Sequence, residues 1–169
     1  MRPLGVASLR IDITSEITPD MADAVVRALA QYPQHHAELY IDTGGGSWDA
    51  SYAIFAALNH HARRVNAYIV RAGSGGALIA CAADHRTIDP SGYFFVHMPW
   101  RPDGGPLSQQ QRDSIAFVKA QLMASRCPVP AERIVKLMSE NTTINARRAL
   151  DIGLAHACPG MERRPVVCL

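Results

Sequence analysis

Short apolar segments typical of strands alternate along this chain with segments that carry apolar residues at helical spacing. The predicted strands cover residues 8–13, 38–42, 65–70, 86–88 and 93–96. The predicted helices begin after Thr18-Pro19, at Ser47 or Asp49, at Gly73, at Ser108, at Ala131 and after Asn145. Strands separated by helices of this length indicate an α/β domain built from right-handed βαβ units.

The composition limits the classes of function that fit such a domain. The chain has 169 residues, which is about the length of one domain. Its 48% of hydrophobic and 19% of charged residues exclude a disordered segment and a coiled coil. A net charge of +2 gives no electrostatic reason to expect a nucleic acid or a membrane as partner. With no signal-peptide core and no apolar run of roughly 18 residues, we expect a cytoplasmic protein.

The cysteines and histidines predict neither a disulfide framework nor a metal site. The four cysteines are scattered and form no CxxC pair. The histidines include the adjacent pairs His35-His36 and His60-His61, and no HxxxH spacing occurs. We therefore expect idle thiols, no metal and no other cofactor.

A first glycine-rich turn, Gly44-Gly45-Gly46, follows a predicted strand and precedes a predicted helix. It lacks the Lys-Ser/Thr of a P-loop and the GxGxxG spacing of a dinucleotide site, which disfavours nucleotide binding. One interpretation is a tight turn at a helix start. The other is a backbone-amide donor for an oxyanion, because glycine has no side chain to obstruct its N–H.

The second glycine-rich turn, at residues 71–77, places Ser74 between a strand and a helix. A serine there can expose its Oγ, and the helix dipole and free amides stabilise negative charge that develops beside it. The alternative is a serine that only caps the helix. The turn also lacks the GxSxG order of the α/β-hydrolases.

His97 directly follows the apolar strand predicted at 93–96. A histidine at a strand end of an α/β domain points into the crevice where such folds hold their ligands. Without a partner it can equally be a structural histidine, so both interpretations stay open on its own evidence.

Taken together, these motifs resemble the proteolytic subunit of the Clp protease, ClpP. The matching segments occur in the family's order and are residues 41–58, 67–99 and 139–155. They carry a strand into a Gly-Gly-Ser turn, a serine in Ala-x-Ser-x-Gly-Ala, a histidine before x-Pro and an Ala-x-x-Ala-x-x-x-Gly-Leu segment. The resemblance covers roughly residues 9–154, nearly the whole chain.

The resemblance implies an α/β fold, the ClpP/crotonase-like spiral of βαβ units, in a single domain over residues 1–169. It further implies three parts of that domain, which are a core at about 8–157, a handle-like helical extension at 101–130 and a C-terminal tail at 158–169.

The same resemblance implies a serine peptidase that works through an acyl-enzyme. Ser74 would be the nucleophile and His97 the general base, and the amides of Gly46 and Gly75 would form the oxyanion hole. The position of the family's triad aspartate falls on Asn141. An amide can orient the histidine but cannot balance the charge of an imidazolium, and Asp→Asn in a serine protease triad can cost about 10⁴ in rate. The resemblance thus implies a Ser-His-Asn site of reduced activity. The alternative is that the neighbouring Glu140 supplies the acid.

Expected partners follow from the family as well. They are a peptide or unfolded-protein substrate and further copies of the chain in a homo-oligomeric ring. The segment before residue 8 is shorter than the family's N-terminal helix and axial loop, and Pro128 and Pro130 interrupt the handle. Both departures leave an AAA+ unfoldase partner and the stacking of two rings open. An apolar stripe on the helix at 108–124 favours self-association, and its members are Ile115, Val118 and Leu122.

Two other functions remain as alternatives. One is a catalytically weak or inactive ring subunit that acts as a scaffold, which the asparagine at position 141 favours. The other is a crotonase-type acyl-CoA hydratase or isomerase, which shares the spiral and the paired oxyanion amides. That class is typically longer, and its carboxylate base is not evident at the glycine-rich turns.

Overall fold

Five strands and six helices follow one another in the computed structural model, which describes residues 7–100 and 105–162. The strands are β1 (Ser8–Ile13), β2 (His36–Thr43), β3 (Val65–Gly73), β4 (His85–Val96) and β5 (Thr142–Asn145). The helices are α1 (Pro19–Gln31), α2 (Trp48–Asn59), α3 (Gly75–Cys81), α4 (Gln109–Ala124), α5 (Ala131–Ser139) and α6 (Ala146–Ile152).

The strands form one sheet in the order β1-β2-β3-β4-β5. The first four pair in parallel, and β5 pairs antiparallel with β4. Each parallel pair is joined through one of the helices α1, α2 and α3, as parallel strands require. The prediction of an α/β domain built from βαβ units is confirmed. The carboxyl ends of β1 to β4 therefore meet at one edge of the sheet, where such folds hold ligands.

Helix caps explain why several element boundaries follow the local sequence. The Thr18 side chain accepts a hydrogen bond from a first-turn N–H of α1, and Pro19 is the first residue of that helix. Ser47, rather than the alternative Asp49, caps α2. Asn145 caps α6, which ends at Gly153 in the left-handed conformation with φ 80°.

Two strand predictions need correction. The segments 86–88 and 93–96 belong to one strand, β4, because a register shift between Ile69 and Arg71 of β3 accommodates the residues between them. Gly92 allows this close approach, since a Cβ there would lie 2.9 Å from the Ile69 carbonyl oxygen. Strand β5 was not predicted, because its four residues are too few to show an alternation.

Helix α4 presents a different face to the core from the one that its sequence suggested. Ile115 and Leu122 are only half-buried, and Val118 is 47% exposed beside Phe117 at 53%. The predicted stripe is therefore not one continuous exposed surface. The buried face of α4 consists instead of Ala116, Lys119, Ala120 and Met123.

The division of residues 1–169 into core, extension and tail stays a prediction. Residues 101–104 of the extension and 163–169 of the tail lie outside the described residues, as do residues 1–6 and the thiol of Cys168. Within the described ranges, no helix is both long enough and apolar enough to cross a membrane.

Candidate active site

One cavity of about 470 Å³ lies at the carboxyl edge of the parallel strands. Its wall includes the turn Gly44-Gly45-Gly46 after β2, Ser74 and Gly75 after β3, and His97 after β4. Four of the five predicted site residues, Ser74, His97, Gly46 and Gly75, therefore line the same space. The fold brings them together because the strand ends that precede them are neighbours in the sheet.

Ser74 has an unusual backbone conformation, with φ 48° and ψ −108°. Such a conformation in a non-glycine residue costs about 1–3 kcal/mol and is typical of functional sites. Its N–H donates to the Phe95 carbonyl oxygen at 2.7 Å, which fixes the turn to β4. Although Ser74 stands at the N-cap position of α3, its side chain makes no capping hydrogen bond. A purely capping role therefore does not describe this serine.

The first glycine-rich turn packs directly against Ser74. Gly45 has φ 112°, and a Cβ added there would lie 2.7 Å from the Ser74 Cβ. A parallel bridge to Ile17 fixes the other side of the turn through two hydrogen bonds, Ile17 N–H to the Gly45 carbonyl at 2.9 Å and Ser47 N–H to the Ile17 carbonyl at 2.8 Å. That bridge does not use the Gly46 N–H.

Gly75 is the first residue of α3, so its N–H has no acceptor within the helix. A side chain at Gly75 would collide with Ser51, and one at Gly76 would come within 2.6 Å of the Thr43 Cγ2. The start of α3 is therefore packed closely against α2 and β2. Gly46 and Gly75, whose amides are proposed for the oxyanion hole, both line the cavity.

His97 is half-buried and stacks on Phe95, with 5.4 Å between the ring centroids. Its Nδ1 lies 2.7 Å from the Met98 carbonyl oxygen. Because a carbonyl oxygen only accepts, Nδ1 carries the hydrogen and the neutral ring has its lone pair on Nε2. Burial lowers the pKa of His97, and the positive charge of Lys119 lowers it further against the opposing effect of the Met98 hydrogen bond. The imidazole is thus favoured in the neutral form that a general base needs.

Asn141 is placed differently from the other four residues. It is exposed, has φ 48°, and its N–H donates to the Met138 carbonyl oxygen at 3.1 Å. It does not line the cavity, and within residues 7–100 and 105–162 its side chain makes no hydrogen bond to His97. The backbone nevertheless holds it close to the histidine, because Thr142 pairs with Val96 in the antiparallel ladder. Its role as third member of a triad stays a prediction.

The cavity also contains residues that the sequence analysis did not identify. Lys119 and Ile115 of α4 contribute to its wall, together with Trp48 of α2. Arg71 lies there too and makes an exposed ion pair with Asp42 at 3.0 Å. A charged residue at position 119 of a helix face that is otherwise Ala and Met is the signal that could have pointed to this lysine.

No metal ligand set accompanies the site. In the part of the chain that the structure describes, no three His, Cys, Asp or Glu side chains cluster as metal ligands would. The residues that line this cavity provide a hydroxyl, a neutral imidazole, backbone amides and a buried ammonium, together with the exposed guanidinium of Arg71 and the exposed carboxylate of Glu16.

Comparison with known proteins gives a consistent match. A family model described as Clp protease matches residues 6–158. The chain is 29% identical over 139 residues to the ATP-dependent Clp protease proteolytic subunit of Streptococcus uberis, which covers 78% of this chain and 67% of that protein. It is 28% identical over 121 residues to the subunit of the same name from Leuconostoc citreum, covering 68% and 59%. The chain thus spans about three-fifths to two-thirds of the length of these curated relatives.

Solved structures agree on the fold. ClpP1 from Listeria monocytogenes superposes with a TM-score of 0.77 at 21% identity, and the match covers 92% of each chain. An asparagine-to-aspartate mutant of that protein gives a TM-score of 0.76 at 20% identity, again with 92% of each chain covered. The predicted ClpP-like spiral of βαβ units is therefore confirmed.

Proposed function

Since the chain belongs to the Clp protease family, we propose that it is a serine peptidase that hydrolyses peptide bonds through an acyl-enzyme on Ser74. The observation that carries this proposal is the shared cavity. This space lies at the carboxyl edge of the sheet and is lined by Ser74, His97, Gly46 and Gly75. The Ser74 hydroxyl does not cap its helix, and His97 is neutral. The family assignment favours this reaction over the crotonase alternative.

In the proposed reaction, His97 Nε2 accepts the proton of the Ser74 hydroxyl while Oγ bonds to the carbonyl carbon of the scissile peptide. The tetrahedral intermediate collapses as its C–N bond breaks, and the imidazolium gives the proton to the departing amine nitrogen. A water molecule then attacks the ester, with His97 again accepting the proton. This second step releases the carboxylic acid and restores Ser74.

The amides of Gly46 and Gly75 are proposed to stabilise the oxyanion in both steps. Loss of one such donor typically costs about 10²–10³ in kcat. Glycine suits these positions because a Cβ at Gly46 would collide with the Ile17 backbone, and one at Gly75 would collide with the Ser51 side chain.

The Met98 carbonyl, and not the Asn141 side chain, contacts the histidine. The carbonyl holds the Nδ1–H tautomer, as a triad residue would, but it is neutral. An imidazolium formed during the reaction would then lack a carboxylate partner, so we propose that turnover is slow. The same observation favours the second candidate function, a weak or inactive ring subunit that acts as a scaffold.

A serine-reactive fluorophosphonate probe separates the two candidates. We expect the wild-type protein to be labelled and the Ser74→Ala protein not to be, with hydrolysis of a fluorogenic peptide lost in parallel. Ser8→Ala is the matched control, because Ser8 is exposed at the start of β1. Labelling of Ser74→Ala at the wild-type rate would refute the nucleophile, and absence of labelling in all three proteins would favour the scaffold.

We propose further that the chain assembles into a ring in the cytoplasm and acts on peptides or unfolded proteins. Members of its family are ring oligomers that degrade such substrates. The exposed pair Phe117 and Val118 on α4 offers an apolar contact for a second copy. Phe117→Ser should lower the mass measured by light scattering, whereas Tyr52→Ser, which removes a similarly exposed aromatic ring from α2, should not. A monomeric mass for the wild type would refute assembly.

A further inference from the structure

Lys119 is a buried lysine on the wall of the cavity that contains Ser74 and His97. It lies on the inner face of α4 between Ala116 and Ala120, and only 5% of its surface is exposed. Lysine is among the residues that are almost never fully buried without a partner. Its burial at this position therefore calls for a charged or polar group to meet it.

The protein itself supplies no such group within residues 7–100 and 105–162. Neither a hydrogen bond nor an ion pair within 4.0 Å reaches the Lys119 ammonium from these residues. The carboxylate of Asp42 is already paired with Arg71, and Glu16 lies on the exposed part of the cavity wall. The nearby Cys81 thiol stays protonated, because its pKa is raised well above the ordinary value.

The burial of Lys119 also affects the pKa of its ammonium. Burial lowers the pKa of Lys119 to about 8. At neutral pH the side chain is still mostly protonated. An ammonium that is held in an apolar wall, with no carboxylate against it among residues 7–100 and 105–162, binds an arriving anion strongly, because few water molecules screen the pair.

We infer that Lys119 is a specificity-determining residue that binds a carboxylate of the peptide substrate beside the scissile bond. The inference rests on the proposed function, since it places the carboxylate in the same cavity as the Ser74 hydroxyl. Two parts of a peptide can supply this group. One is the acidic side chain of the residue that donates the scissile carbonyl, and the other is the free C-terminal carboxylate.

The composition of the cavity wall fits a short acidic side chain. Trp48, Pro99 and Ile115 line the cavity with apolar surface that can hold methylene groups. Lys119 then provides a single charged contact, and a charge-assisted hydrogen bond to a carboxylate is roughly twice as strong as a neutral one. An uncharged amide of the same shape would leave the ammonium poorly compensated. The site should therefore discriminate glutamate from glutamine.

Matched fluorogenic peptides test this inference. One series varies only the residue before the reporter, as Glu, Gln or Leu, and a second compares a free with an amidated C-terminus. We expect wild-type kcat/KM to be at least about tenfold higher for the carboxylate form in one series, and the series in which this occurs identifies the source of the carboxylate. In Lys119→Met and Lys119→Gln the preference should fall to about one, while the Leu peptide is still cleaved.

The controls keep folding and catalysis apart from specificity. Lys136→Met is the matched variant, because Lys136 is the chain's other lysine and is exposed on α5. It should retain the wild-type preference. Lys119→Met is not expected to unfold the protein, because methionine has a similar shape and its burial does not require a charge to leave water.

A binding measurement separates failure of this inference from failure of the proposed function. Peptide binding to Ser74→Ala can be followed by the fluorescence of the chain's two tryptophans, Trp48 and Trp100, which both line the cavity. Tighter binding of the Glu or free-carboxylate peptide, lost in the Ser74→Ala/Lys119→Met double variant, supports the inference even if no peptide is cleaved. Equal binding and cleavage of carboxylate and amide forms, or a preference that survives Lys119→Met, overturns it.

Discussion

Asn141 and His97 directly flank Thr142 and Val96, the last residue pair of the antiparallel ladder between β5 and β4. The two side chains make no hydrogen bond to each other, and the His97 Nδ1 instead faces the Met98 carbonyl oxygen. The backbone therefore offers a position for a triad acid, but the residue at that position carries no charge. Substitutions of Asn141 therefore test whether a charge near His97 supports the proposed mechanism.

Asn141→Asp is expected to increase peptidase turnover. A carboxylate opposite His97 would stabilise the imidazolium that forms as Ser74 loses its proton. A gain of at least about tenfold in kcat/KM follows if the charge stabilises the transition state by ~1.4 kcal/mol. The measurement is hydrolysis of a neutral fluorogenic peptide by wild type, Asn141→Asp and Asn141→Ala at the same oligomeric state. No gain with aspartate and no loss with alanine would exclude residue 141 from the site.

The pH dependence of hydrolysis should report the environment of His97. A general base acts in its neutral form, so activity is lost as the pH falls through its pKa. Because burial and the charge of Lys119 lower the pKa of His97, the acid limb of kcat/KM should lie below about 6.5, the ordinary value for histidine.

Two substitutions should move the acid limb of kcat/KM in a direction that the charges near His97 determine. Lys119→Met removes a positive charge near His97 and should shift the acid limb to higher pH, as should the new carboxylate of Asn141→Asp. Lys136→Met, which alters an exposed lysine, should leave the profile unchanged. An acid limb above pH 6.5 in the wild type, or one that Lys119→Met does not move, would contradict this account of the imidazole.

Sequence-based prediction succeeded where local chemistry decides the structure. Caps and helix breakers act within a few residues, and so Thr18-Pro19, Asn145 and Gly153 marked helix ends correctly. The two glycine-rich turns were also identified before the structure, because the positions that must approach Ser74 closely exclude side chains.

Prediction failed where tertiary packing decides. Strand β5 exists only because it pairs with β4, which leaves no local pattern in four residues. On α4, apolar spacing selected Ile115, Val118 and Leu122. The helix instead buries Ala116, Ala120 and Met123, together with Lys119 beside the cavity. Hydrophobic periodicity cannot by itself indicate a buried charge, so the apolar spacing on α4 did not identify the lysine.

Arg86 should be a major contributor to stability. Its guanidinium is 1% exposed and donates to the carbonyl oxygens of Leu154 and Ala83 at 2.7 Å each, with longer contacts to those of Cys81 and Arg126. Arg86→Met would leave these buried acceptors without a donor, and an unsatisfied buried group costs about 1–3 kcal/mol. We expect the free energy of unfolding to fall by about 2–4 kcal/mol in urea titrations at fixed protein concentration.

Arg133→Met provides the comparison, since Arg133 is exposed on α5. Its urea midpoint should stay within experimental error of the wild type, because exposed substitutions usually change stability by less than about 0.5 kcal/mol. Equal midpoints for Arg86→Met and the wild type would show that the four carbonyl contacts do not contribute to stability.

Gly45 and Gly44 allow the most direct test of how the first turn supports the site. In Gly45→Ala the new Cβ would lie 2.7 Å from the Ser74 Cβ and 2.9 Å from the Gly73 carbonyl oxygen, at a φ of 112° that L side chains rarely adopt. The turn or Ser74 must then move. Because a donor or nucleophile displaced by about 1 Å can cost roughly 10² in rate, Gly45→Ala should lose at least that factor in kcat/KM. Gly44→Ala, one residue earlier in the same turn, places its Cβ in open space and should keep near wild-type activity.

Fluorophosphonate labelling of both variants, with circular dichroism to verify folding, distinguishes a displaced site from an unfolded one. Equal labelling rates for Gly45→Ala and Gly44→Ala would mean that the contact between this turn and Ser74 does not position the nucleophile.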